Sequence, residues 1–260
     1  MKRAAILVLE RPPYHGIEVG QALEKLGFRV QFSAFDDPKP EDLLILWNRY
    51  QRYEGFATNF ERNGARVVIM ENGYFGRNWE NGPWYALSIG QHNGAGLMPP
   101  ANLRMWDRIG FPEQEWRINP TGDVVVLATR HMGSEMQREP QGWSEQWVKA
   151  GDGDVRIRAH PGAQKDDPTT ERDKALFEDI KNAQFCITWG SSAGLKAIMM
   201  GIPVSYGLRN WIGSSAARSI YSSEGSFYGS RDLLKARLAT AMWNLDEIRS
   251  GEAFKWLLRL

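Results

Sequence analysis

Five small residues, Gly190-Ser191-Ser192-Ala193-Gly194, join an apolar run to a helical pattern. Small residues there let backbone N–H groups approach an anion at a helix N-terminus, where the helix dipole favours negative charge. The two hydroxyls add donors, or they simply cap the helix. The cluster is neither a Walker loop nor a GxGxxG fingerprint, because the lysine is missing and the glycine spacing differs. His160-Pro161 follows another apolar run; the imidazole can donate to a phosphate oxygen, or merely occupy a turn. Arg130 and Arg158 are candidate phosphate clamps, against a reading as solvated surface. Glu71 stands ahead of Asn72-Gly73 at the end of an apolar run, and Glu10 stands at the equivalent place after Ala4–Leu9. A carboxylate there can take the proton of an acceptor hydroxyl, or pair with an arginine or a helix N-terminus. His15 and His92 put imidazoles in loops. The four histidines show no i, i+4 pair and no HExxH spacing, so no metal site is expected. Trp47, Trp79, Trp84, Tyr85, Trp189 and Trp211 can stack on a sugar or a base, or pack as ordinary core and rim.

These residues need elements to position them. Ala4–Leu9, Asp42–Trp47, Arg66–Met70, Asp123–Ala128, Val155–Ala159 and Phe185–Trp189 read as strands, several buried on both faces. Helical patterns fall between them: 17–26 closed by Gly27, 57–62 ending at Asn63-Gly64, 142–150, 175–182, and 194–200 capped by Gly201. Residues 72–121 are irregular and rich in Gly, Pro, Asn and Trp. Leu233–Leu260 reads as two helices broken near Ser250-Gly251. Alternating strands and helices imply an α/β chain with parallel sheets and right-handed crossovers, in two Rossmann-like halves. Ligands of such sheets bind beyond the carboxyl ends of the strands. The expected division is 1–118 for an acceptor-side domain, 119–240 for a donor domain, and 241–260 for a helix packing back on the first.

Composition narrows the class. The chain has 260 residues, 42% of them hydrophobic, so it can build a real core and is not disordered. One cysteine excludes a disulfide scaffold and a cysteine-based zinc site. A net charge of +1, balanced in both halves, gives no general attraction to a polyanion. The apolar run after Met1-Lys2-Arg3 stops at Glu10-Arg11, too short for a signal peptide or a membrane span. A soluble, cytoplasmic protein of a bacterial cell, or one encoded by a phage, is expected.

Cys186–Val204 resembles the donor-binding segment of GT-B glycosyltransferases. It is most similar to the capsule polysaccharide (β-Kdo transferase-like) type, with its T-x-x-S-x-G-x-E-A-L-x-x-G-x-P-V pattern. Leu46-Trp47-Asn48-Arg49 is similar to that family's strand ending in Trp-Gly-Arg. Glu71-Asn72-Gly73-Tyr74-Phe75-Gly76-Arg77-Asn78 resembles its Glu-Asp-Gly-Phe-x-Arg-Ser motif, and Ala159-His160-Pro161 its His-Pro. Leu127–Ser134 falls where the family has a polar donor-side loop, which adds Gly133 and Ser134. The resemblance spans roughly Trp47 to Tyr206, with sparse identities. Two positions depart from it. Lys196 replaces an acid that would hold the donor ribose, and Asn72 replaces the family's catalytic Asp. Asn is no useful proton acceptor, so the base falls to Glu71 or Glu10.

The resemblance implies a two-domain GT-B fold with a cleft between parallel sheets. It implies a metal-independent glycosyltransferase with no cofactor, whose donor is a nucleotide-sugar. Arg130, Gly133, Ser134, His160, Pro161, Gly190, Ser191, Ser192 and Gly194 would hold that donor. Asn72, Arg77, His92, Trp47, Arg49 and His15 would position the acceptor. A small chain with no membrane-binding helix suits a hydroxymethylpyrimidine in DNA as the expected acceptor, otherwise a glycan, without integral membrane association. Two rival readings are a sugar-nucleotide epimerase on the same scaffold and a non-catalytic nucleotide-sugar-binding module, the latter favoured by Asn72 and Lys196.

Overall fold

The computed structural model describes residues 2–76, 78, 80, 82–131, 133–135, 137–150, 154–160, 169–222 and 227–259, with no side-chain description for 169–174. The chain divides into two compact units. The first comprises Met1–Asn102, Gly133–Met136 and Arg237–Leu260; the second comprises Leu103–Met132 and Gln137–Ala236.

The first unit holds a six-stranded sheet. Its strands are β1 (Arg3–Leu7), β2 (Arg29–Gln31), β3 (Leu43–Trp47), β4 (Arg66–Asn72), β5 (Trp84–Ile89) and β11 (Met242–Asn244), in the order β11-β5-β4-β3-β1-β2. Strands β2, β1, β3 and β4 are parallel; β5 runs antiparallel to β4, and β11 antiparallel to β5. Leu43–Leu46 and Val67–Met70 are buried throughout, as expected of parallel strands covered on both faces. Helices α1 (Gly16–Lys25) and α2 (Arg52–Arg62) make the crossovers. Phe60 and Ala57 of α2 join Leu44, Leu46, Val67 and Ile69 in one apolar cluster.

The second unit holds five parallel strands. They are β6 (Val124–Leu127), β7 (Val155–Arg158), β8 (Phe185–Thr188), β9 (Val204–Tyr206) and β10 (Arg218–Ser219), in the order β10-β9-β8-β6-β7. The connecting helices are α3 (Trp143–Ala150), α4 (Thr169–Ile180) and α5 (Ser192–Met199). Helix α6 (Arg231–Ala241) leads back into the first unit, followed by β11, α7 (Leu245–Ser250) and α8 (Glu252–Leu257). The tail was expected to be two helices; it is three with a strand between them, because Met242↔Ala86 and Asn244↔Trp84 pair across the chain. β5 also falls in the stretch expected to be irregular.

In each sheet the strand order reverses at one point, between β1 and β3 and between β6 and β8. Ligands of doubly wound sheets sit beyond the strand carboxyl ends at such a reversal. In the second unit the flanking segments are the Thr129 loop and the Gly190–Ser192 turn.

Candidate functional site

The turn after β8 is built from its own residues. Ser191 is the N-cap of α5, with an extended backbone, and its Oγ accepts from the Ala193 N–H at 3.2 Å. The Ser191 N–H donates to Thr188 Oγ1 at 2.9 Å, so the last residue of β8 also shapes the turn. Gly190 and Gly194 are glycine for packing reasons. A Cβ at Gly190 would come within 2.7 Å of the Leu208 side chain, and one at Gly194 within 2.9 Å of Thr188. Ser192 is exposed, and its hydroxyl makes no hydrogen bond with a described residue. No acid stands in the first turn of α5 to oppose an anion. The cap reading and the anion-site reading of this turn are therefore compatible.

The loop after β6 is fastened by a buried carboxylate that the sequence reading passed over. Glu139 is 3% exposed. Its Oε2 accepts from the Thr129 N–H at 2.8 Å and its Oε1 from Ser144 Oγ at 2.5 Å. His131 Nδ1 lies 2.9 Å from the Glu139 carbonyl. Trp189 Nε1–H donates to the Gln137 carbonyl at 2.7 Å, tying this loop to the turn after β8. Arg130 is exposed, and its side chain makes no hydrogen bond or ion pair with a described residue. Gly133 and Ser134 belong to the first unit, where Ser134 Oγ reaches Gln91 at 3.4 Å. His160 is half-buried after β7. Arg158 is held by Asp179 at 2.7 Å. Pro161 and Arg77 lie outside the described residues.

In the first unit, Glu71 is the penultimate residue of β4. Its Oε1 accepts from the Asn93 N–H at 2.9 Å and from the Tyr74 hydroxyl at 3.2 Å. Burial pushes the carboxyl up to about 7, against the hydrogen bonds from Asn93, Tyr74 and Gly94 that pull it down. Tyr74 is itself pushed well above its ordinary value by burial and by the Glu71 charge. The hydrogen bonds from Asn93 and Tyr74 both fall on Oε1. Gly73 lets the strand end turn tightly: its N–H donates to the Trp84 carbonyl at 2.8 Å, and a Cβ would meet Trp84 at 2.8 Å. Asn72 beside it is exposed, and Glu10 is exposed after β1.

Other expected acceptor residues serve the unit's own packing. Arg49 is 4% exposed and is gripped by Glu54 at 2.7 Å, Glu61 at 2.6 Å and the Gly90 carbonyl at 2.7 Å. Trp47 stands edge-on to Tyr14 at 4.9 Å and to Tyr85 at 6.2 Å. His15 packs edge-on to Tyr85 and binds Glu18 at 2.8 Å. His92 is buried next to Asn93. His15, Asn48 and Gln51 take positive φ in the loops after β1 and β3, as does Asn93 beside Glu71. Such backbone strain in non-glycine residues gathers at ligand sites. Among the described residues no group of three or more His, Cys, Asp or Glu could hold a metal ion. No helix there is long and apolar enough to cross a membrane.

No family model matches the chain, and no curated protein matches it in sequence. Solved structures do resemble it. One is titled Thermosulfurimonas dismutans KpsC, beta Kdo 2,7 transferase; the likeness has a TM-score of 0.55 at 12% identity and covers 98% of this chain and 99% of that chain. Another, titled beta Kdo 2,4 transferase of the same KpsC, gives 0.51 at 14% identity, over 92% and 89%. The fold expected from the Cys186–Val204 and Glu71–Asn78 motifs is thus the fold observed: two α/β units with parallel-rich sheets, like those of the capsule-type Kdo transferases.

Proposed function

We propose that the chain is a glycosyltransferase that moves a sugar from a nucleotide-sugar to an acceptor hydroxyl. The observation that carries this is the Glu71 carboxyl, raised to about 7 at a strand end and held there by Tyr74 and Asn93. A group titrating near neutrality is suited to general base work, since it is part-ionised yet basic enough to take a proton. The similar structures titled as Kdo transferases support the same reaction class.

In this reading Glu71 takes the acceptor hydroxyl's proton as the oxygen attacks the sugar. The departing nucleotide phosphate meets Ser192, the Ser191 hydroxyl and the positive end of α5, with Arg130 and His160 contributing charge and a donor. These residues can stabilise a leaving phosphate without a metal. Tyr74 and Asn93 hold the base in place. Glu10, exposed after β1, is the alternative base.

Of the two acceptors considered, a glycan is the one we propose. The net charge of +1 offers a DNA duplex no general attraction, and Arg49 is spent on Glu54 and Glu61. The test begins with thermal-shift screening against UDP-, GDP-, CMP- and dTDP-sugars. Mass spectrometry then follows transfer to glycans and to hydroxymethylated DNA. Glu71→Gln should abolish most turnover while leaving donor binding intact. Full turnover in both Glu71→Gln and Glu10→Gln would refute the reading, and donor binding with no transfer to any acceptor would point to a binding module.

A further inference from the structure

The second unit contains a cavity that the proposed reaction does not use. Its volume is about 680 Å³, within the size range of small-molecule sites. Among the described residues none of the candidate donor residues lines it. Thr121, Gly122, Asp154 and Gln184 line it ahead of β6, β7 and β8, and Ser219, Ile220 and Ser222 line it at and beyond the end of β10, so it runs along one face of the sheet.

The floor follows from strand register. Val155, Val124 and Phe185 are lateral neighbours across β7, β6 and β8. Ile187, Ser205 and Arg218 are lateral neighbours across β8, β9 and β10. Phe185 and Ile187 are two residues apart, so the two rows share one face. Trp147 and Ala150 at the end of α3 form one wall, and Ile220 and Phe227 the other. The floor is apolar from β7 to β8 and turns polar at Ser205 and Arg218.

Two donors at this cavity lack acceptors among the described residues. Trp147 Nε1–H is buried without a hydrogen-bond partner. The Arg218 guanidinium lies 5.1 Å over the Phe227 ring and makes no ion pair or hydrogen bond with any described residue. A half-buried cation at the rim of an apolar trough calls for an anion, since a desolvated guanidinium gains most from a charged acceptor. Asp154 stands at the β7 edge. Four strand spacings separate that edge from β10, about 19 Å, so an anionic head is repelled from one end and attracted to the other.

We infer that this cavity binds a single-chain amphiphilic monoanion of the fatty-acid type. Its apolar chain lies along Val124, Phe185 and Ile187, and its carboxylate meets Arg218. The site is independent of the donor and acceptor residues, and stands whether or not the chain transfers sugar.

The experiment uses the whole chain and 1-anilinonaphthalene-8-sulfonate, an apolar monoanion whose fluorescence rises on binding. Dodecanoate, below its micelle concentration, should displace the dye with saturation, and dodecanol should displace it more weakly. Arg218→Gln should weaken dodecanoate roughly tenfold while leaving dodecanol unchanged, as expected for loss of one charge-assisted contact. Ala150→Trp, at an exposed position on the wall, should weaken both, with an unchanged circular dichroism spectrum confirming the fold. UDP and CMP should leave the dye bound. The proposal is overturned if dodecanoate fails to displace the dye, if Arg218→Gln binds dodecanoate as the parent does, or if nucleotides compete.

Discussion

Replacing Glu71 by glutamine keeps the side chain's shape and an acceptor oxygen for Tyr74 and Asn93, but removes its titrating proton. The carboxyl rises from 4.5 to about 7 on folding, chiefly through burial. One unit is worth about 1.4 kcal/mol, so the charged form destabilises the folded state by about 3 kcal/mol at most. Glu71 keeps some exposure to solvent, which reduces the expected effect to about 2 kcal/mol. Below pH 4.5 the group is neutral in both folded and unfolded chains, and the penalty is absent. As the pH rises from 4.5 to 7 the unfolded chain releases its proton first and is favoured. Above 7 the penalty is constant. Glu71→Gln should therefore be more stable than the parent at pH 8 by about 2 kcal/mol, and nearly equal to it at pH 4.5. Urea unfolding of both proteins at the two pH values measures this, with no substrate needed. A stability difference that is the same at both, or larger at the lower pH, refutes the argument for a raised Glu71 carboxyl.

Three further outcomes follow from the geometry. Glu139→Ala strands the Thr129 N–H and the Ser144 hydroxyl, and should destabilise the second unit by about 2 kcal/mol in denaturant unfolding, with weaker retention of nucleotide. Arg49→Met leaves Glu54 and Glu61 facing each other without a cation. It should lower stability by about 2 kcal/mol at pH 7, where both are charged. Arg49's hydrogen bonds hold the Glu54 carboxyl below its ordinary value, so that loss should shrink in unfolding curves below pH 4. Ser191→Ala removes the α5 cap and should lower the melting temperature by an amount equivalent to about 1 kcal/mol, while weakening donor binding in isothermal titration.

Strands that are continuous apolar runs, such as Leu43–Trp47 and Val67–Met70, are legible because a parallel strand buried on both faces leaves no polar residue to confuse the pattern. The start of α5 is legible for a similar reason, since a serine N-cap acts locally. β5 was hidden by its Gly-, Pro- and Asn-rich surroundings, although Trp84–Ile89 is itself apolar. β11 is three residues long between helical stretches, and only its pairing with residues more than 150 positions earlier makes it a strand. The candidate site divides along the same line. Glu71 and Ser191 are found by their place at strand ends. Asn93 reaches Glu71 from a loop 22 residues away, and nothing in its own type or spacing announces that contact. Glu139 looks like one more surface acid, because burial is set by the fold around Thr129 and Ser144. Tyr74 alone left a signal, three residues after Glu71 in the same motif.

The β11 strand also sets an order of events on the ribosome. The first sheet receives its last strand from residues 242–244, after the whole second unit has been synthesised. Until then β5 presents an open edge of unpaired N–H and C=O groups, with Trp84–Leu87 available to any extended chain nearby. The nascent protein thus carries a sticky template until residues 242–244 have been made. Slowing translation between residues 90 and 242, or cutting the chain before residue 242, should send more product into aggregates than shortening any surface loop of equal length.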